Sequence, residues 1–159
     1  EGGTGSCRED IHPQNKKEVA RRFLNLARRD VYEPGEPIAA VGPAYVSSRT
    51  AGGKIELTFQ TTGDLKLLPQ QQYADKVTDT LIAEQHINVQ EPQEFEVAGA
   101  DGVFVKASAQ LRGNKVLVWS NEISKPVYVR YAWGAYPEIP NLTDDSGLPC
   151  PSFSTEKVQ

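Results

Sequence analysis

Methionine is missing altogether from these 159 residues, and cysteine and histidine occur only twice each. Translation begins at methionine, so a chain that opens Glu1-Gly2-Gly3-Thr4-Gly5-Ser6-Cys7 is expected to be a processed, truncated or cleaved product. Long apolar runs are missing too. The longest, residues 38–41, falls far short of the roughly 20 residues that a membrane-crossing helix needs, and no basic-then-apolar leader opens the sequence. Nor is there a basic excess: 17 Lys and Arg stand against 21 Asp and Glu, a net charge of −4 that offers nucleic acid no attractive surface. With 38% hydrophobic and 24% charged residues, the remainder has the composition of an ordinary globular chain long enough to bury a core. Neither a membrane nor a nucleic-acid partner is expected.

The scarce residues are scattered. Cys7 and Cys150 lie near opposite ends, where a bridge and two free thiols are both allowed. His86 has no second ligand at metal-binding spacing and reads as a surface histidine, so no metal and no cofactor are expected. Asn141-Leu142-Thr143 is a glycosylation sequon. Gly3-Thr4-Gly5-Ser6 lacks the strand before and helix after that a nucleophile elbow requires, which leaves Ser6 out of any catalytic role.

Helical periodicity begins at Asn15. Val19, Phe23, Leu26 and Ala27 share one face while Lys17, Arg21, Arg22, Arg28 and Arg29 lie off it. Asn15 and Glu18 make a candidate capping box, and the spacing predicts an end near Val31, before Glu33-Pro34-Gly35-Glu36-Pro37. One apolar stripe on a lone helix must dock on something. From there the pattern turns to short alternating strands at 44–48, 54–60, 64–68, 95–98, 103–111, 115–119 and 126–133, with turns at Gly52-Gly53, Thr62-Gly63 and Arg112-Gly113-Asn114. Residues 69–93 form an insertion, a short helix or a long loop, and 134–159, rich in proline, read as an extended tail wrapped on a small antiparallel β-sandwich or returned to the helix.

Chemistry concentrates in Asp10-Ile11-His12-Pro13-Gln14-Asn15-Lys16-Lys17-Glu18. An imidazole titrates near neutrality, and a carboxylate just upstream, Asp10 or Glu9, can orient one ring nitrogen while the other serves as general base. Pro13 holds His12 in extended backbone. The alternative is a solvated capping loop. Farther on, Arg130-Tyr131-Ala132-Trp133 ends a strand with a guanidinium suited to a carboxylate and two rings suited to a sugar. Against that, alternation would bury Val127, Val129 and Tyr131 and leave Arg130 to a structural ion pair.

Asp10-Ile11-His12-Pro13 followed by Asn15-Lys16 and an amphipathic helix resembles the last catalytic block of the SGNH hydrolases, in particular the sialate O-acetylesterase branch of the carbohydrate esterases. Pro126-Val127-Tyr128-Val129-Arg130-Tyr131-Ala132-Trp133, then Asn141-Leu142, Gly147-Leu148-Pro149, Phe153 and Thr155, is similar to the C-terminal run of that branch. The resemblance implies an α+β arrangement: the final loop and helix of an SGNH α/β domain at residues 1–33, then a β-sandwich at 34–159. It implies that His12 is the triad base, with Asp10 or else Glu9 as the acid, and that Trp133 and Arg130 face an acetylated sugar. The nucleophilic serine and the oxyanion-hole glycine and asparagine have no matching positions here. They would come from an N-terminal portion or subunit of the same precursor, and the chain alone would be silent. A periplasmic or secreted setting goes with that branch. The competing reading is a non-catalytic β-sandwich that binds carbohydrate or packs on a neighbouring domain.

Overall fold

Strict alternation gives a strand one dry face, and Ile55, Leu57 and Phe59 are buried while Glu56 and Thr58 between them stay half open. The computed structural model of the chain describes residues 16–68, 74–75, 80–81, 90–135, 137 and 139–156. Helix α1 (Lys16–Ala27) is followed by strands β1 (Ala44–Ala51), β2 (Lys54–Gln60), β3 (Lys66–Leu67), β4 (Ala74–Asp75), β5 (Thr80–Leu81), β6 (Phe95–Ala98), β7 (Phe104–Lys106), β8 (Ser108–Arg112), β9 (Lys115–Trp119), β10 (Tyr128–Tyr131), β11 (Leu142–Thr143) and β12 (Phe153–Ser154). The chain separates into two units, Glu1–Ala40 with Gln70–Ile87, and Val41–Pro69 with Asn88–Gln159.

The larger unit is a sandwich. One antiparallel sheet runs β1-β2-β9-β8 and the other β12-β10-β6-β7. Ile55, Leu57, Phe59, Val116 and Val118 of the first join Phe95, Val97, Val129 and Tyr131 of the second in one hydrophobic cluster. Phe153 ties the layers with its ring, stacked 4.9 Å from Tyr45 and 5.8 Å from Tyr131. The β1–β2 connection is only Gly52-Gly53, both at positive φ (55° and 76°), the primed turn that matches strand twist and that side chains resist.

The 103–111 run, read as one strand, is two. β7 belongs to the second sheet and β8 to the first, and between them the Ala107 amide donates to the Phe95 carbonyl at 2.9 Å. Val105, Ala107, Ala109 and Leu111 keep one inward phase through the crossing, so alternation carried no mark of it. Of the two placements read for the tail, it takes the sandwich, supplying β11 and β12. Its Thr155 hydroxyl accepts from the Val129 amide at 2.8 Å, and the Thr155 amide donates to the Val129 carbonyl. Gly42, where the chain enters this unit, lies so close to the Leu148 and Pro149 carbonyls that a Cβ would overlap both.

Polar side chains, Asp144 buried and Asn114 and Asp145 exposed, lock one end of the sandwich. Asp144, 2% exposed, accepts from the Thr62 amide at 2.8 Å and the Ser146 amide at 2.9 Å. Asn114, in the β8–β9 turn, accepts from the Leu65 amide and donates to the Gly63 carbonyl, while Asp145 accepts from the Asp64 amide and pairs with Lys66. The sequon asparagine is no carbohydrate acceptor in this fold. Asn141 is 5% exposed, with its oxygen accepting from the Gln93 amide and its nitrogen donating to the Glu91 carbonyl.

In the smaller unit α1 gives way to a π-helical turn, Arg28–Tyr32, closed by the Glu33 amide on the Arg28 carbonyl and by a two-pronged Arg28–Glu33 ion pair at 2.9 and 2.7 Å. The helix thus ends close to the predicted residue. The Asn15–Glu18 box lies outside what is described. Of the insertion, Ala74–Asp75 and Thr80–Leu81 pair as a two-residue antiparallel ladder. Phe23 (68% exposed), Leu24, Val31 and Tyr32 all face outward.

Candidate functional site

The outer face of the second sheet is assembled from residues two apart on neighbouring strands. Val129 and Tyr131 of β10 point into the core, so Arg130 points away from it. Strand register then sets Ser154, Arg130, Glu96 and Lys106 in one row across β12, β10, β6 and β7. In the next row Tyr128 and Phe104 flank Ala98.

Arg130 occupies the centre of this face. Its guanidinium carbon lies 3.6 Å from the centroid of Phe104 and 5.5 Å from that of Trp133, and one terminal nitrogen donates to the Glu156 carboxylate at 3.0 Å. Its Nε is buried without a hydrogen-bond partner. A cation over an aromatic ring gains about 0.5–2 kcal/mol, increasing with desolvation. Arg130 therefore has its charge answered by Glu156 and by contact with two rings, while Trp133 keeps 47% of its surface open.

Trp133 does not continue the alternation of β10. Following Val129 and Tyr131 it would point inward, and Ala132 outward. The reverse is found: Ala132 is buried in the core cluster and Trp133 lies over Arg130. The cause is a left-handed backbone at Ala132, φ 48°, whose amide donates at 2.9 Å to the carbonyl of Glu94, itself left-handed at φ 62°. Each such residue costs on the order of 1 kcal/mol, and the conformation persists only where its surroundings enforce it. Here the Glu94 carboxylate accepts from the Ile139 amide at 3.2 Å, fixing that corner.

Of the residues singled out in the sequence, His12, Asp10, Glu9, Ser6, Cys7 and His86 lie outside the described residues. Arg130 and Trp133 are described and stand together. Val127, read with the inward set, precedes β10 and is exposed. Tyr131 is wholly buried: burial pushes its hydroxyl well above the usual phenol range, and its oxygen accepts from the Leu142 amide at 3.0 Å. Cys150 is a free buried thiol, pushed up to about 12 by burial and then by nearby Asp144, hence inert as a nucleophile. Among the described residues no cluster of His, Cys, Asp and Glu could hold a metal ion. Phe104, Glu156, Glu94 and Ala132 went unmarked in the sequence. Glu156 is 26 residues from Arg130, and an alanine gives no cue to left-handed backbone.

This β-rich fold is similar to part of a solved structure, a carbohydrate acetylesterase from Xanthomonas citri, matched with a TM-score of 0.76 and 30% sequence identity over 98% of this chain. The chain spans 31% of that protein's length. No protein-family model matches the chain, and neither does any curated protein.

Proposed function

We propose that this chain is the C-terminal part of a carbohydrate O-acetylesterase that works by a serine-hydrolase mechanism on sialic acid or a related acetylated sugar. The observation that carries this reading is the likeness to an acetylesterase along 98% of the chain, at an identity high enough to concern more than architecture. The Asp10-Ile11-His12-Pro13 motif supports it independently.

In such a mechanism His12 accepts the proton of a serine hydroxyl as the oxygen attacks the acetyl carbonyl, then returns it to the departing sugar hydroxyl. Asp10, or Glu9, holds the imidazole in the productive tautomer. The serine and the oxyanion donors belong to polypeptide outside these 159 residues, the N-terminal portion or a subunit of the same precursor. Trp133, backed by Arg130, faces the sugar. No cofactor, membrane or nucleic acid enters the scheme, and a periplasmic or secreted setting suits an enzyme acting on glycans.

Deleting a triad member from a serine hydrolase costs about six orders of magnitude in rate. The isolated chain is accordingly expected to hydrolyse p-nitrophenyl acetate no faster than buffer containing an equal amount of inert protein. Turnover at ordinary esterase rates would overturn the placement of the nucleophile elsewhere.

A further inference from the structure

We propose that Glu94 and Ala132 act as a backbone pivot that turns Trp133 out of its strand and onto Arg130, so that the indole becomes a stacking platform for a neutral sugar ring. This rests on the carbohydrate reading above, keeps its acetylated sugars without a carboxylate in place of sialic acid, and adds two positioning residues.

Two observations support the pivot. The inward phase of Val129 and Tyr131 passes at the next position to Ala132 instead of Trp133, and that exchange coincides with φ 48° at an alanine. Across the ladder its hydrogen-bond partner Glu94 is left-handed as well, at φ 62°. Glycine would take either conformation without a Cβ penalty, yet neither position holds one. The strain is local to the residue that carries the exposed ring, which is where backbone outliers gather when they serve a ligand. A native indole left nearly half open, braced from behind by a guanidinium that is itself braced by Phe104, presents a flat, fixed apolar surface.

The ligand class follows from Arg130. Its guanidinium is paired with Glu156 and covered by rings, so its charge is already answered before any ligand arrives. Glu96 and Glu156 stand near it against Arg130 and Lys106, two acids to two bases, which leaves no surplus positive charge to hold a sugar carboxylate. A pyranose without a carboxylate needs none, because it stacks its C–H face on the indole.

The test is an NMR titration of the 159-residue chain with cellohexaose and, separately, with N-acetylneuraminic acid. The readout is the Trp133 indole N–H resonance, assigned by its loss in Trp133→Ala. Cellohexaose is expected to shift it saturably, and the acid at equal concentration to leave it in place. Ala132→Val keeps every side chain of the platform but disfavours left-handed backbone. It is expected to weaken cellohexaose binding by at least about tenfold, and Ala132→Gly to restore it. A folded Ala132→Val that binds like the parent would overturn the pivot. Equal shifts with both sugars would overturn the neutral class, and no shift with cellohexaose the platform itself. Should Ala132→Val not fold, nuclear Overhauser contacts of the parent indole decide the pivot: contacts to the Arg130 side chain are required, and contacts to Val97 or Leu142 would contradict it. Failure of acetyl-ester hydrolysis in a longer polypeptide would leave all these readings unchanged, so the two proposals fail separately.

Discussion

The sandwich and the helical segment ahead of it treat the same kind of residue in opposite ways. In the sandwich Leu57, Val97, Val116, Val118, Val129 and Leu142 are wholly buried by partners from within the same unit. In the segment, Phe23, Leu24, Val31 and Tyr32 face outward at between 56% and 75% exposure. Burying a large apolar side chain is worth about 1.5–3 kcal/mol, so the sandwich collects that stabilisation at many positions and the helix forgoes it at four. Of the amphipathic stripe read from sequence, Val19, Leu26 and Ala27 are half-buried and Phe23 is exposed.

Truncations at matched positions would break this contrast most directly. Leu57→Ala is expected to lower the unfolding free energy by about 2–5 kcal/mol in a urea titration, because it opens a cavity at the centre of the cluster. A loss below about 1 kcal/mol would show that the two layers are not well packed. Tyr131→Phe comes next. It removes only a hydroxyl, but that hydroxyl is the acceptor for the buried Leu142 amide, and the orphaned donor should cost about 1–3 kcal/mol in the same measurement.

A smaller effect belongs to the outer face of the first sheet. There Glu56 lies between Arg49 and Lys115, each at 2.7 Å, and their hydrogen bonds, Arg49 foremost, hold its carboxyl down at about 2 from its ordinary 4.5. A carboxyl depressed on folding adds stability that is complete above its unfolded value and lost as pH falls through its folded one. The parent's melting temperature should therefore fall more than that of Glu56→Gln as pH drops from about 4.5 to about 2. Parallel curves would place Glu56 outside the stability balance. The smallest change is expected at Phe23→Ala, within about 0.5 kcal/mol of the parent as for other surface positions. A large loss there would show that the Phe23 ring contributes to stability despite its exposure and would erase the contrast.

The sandwich was legible in the sequence because period-two alternation is a direct consequence of one wet and one dry face. Ile55, Leu57 and Phe59 announced β2, and Gly52-Gly53 announced the turn before it. What alternation cannot report is which sheet a strand joins. The run through Val105, Ala107, Ala109 and Leu111 kept perfect phase while crossing from one layer to the other. Nor can it report a phase slip that no glycine advertises, as at Ala132, where the ring meant for the core by position was delivered to the surface by backbone. The two-residue strands of the tail are too short for any period, and their partners, such as Arg130 for Ser154, lie far away in the chain. The candidate site was legible as residue types, Arg130 and Trp133, but not as geometry. The acid that neutralises Arg130 and the ring beneath it come from other strands, and only the fold brings them together.

One measurement bears most directly on the proposal that this chain is part of an acetylesterase. The product of its whole reading frame, incubated with an O-acetylated sugar, should release acetate, and His12→Ala in that same polypeptide should slow the release by at least about four orders of magnitude while leaving the fold intact. Acetate release undiminished by the loss of that imidazole, or no release from the intact product, would contradict the account.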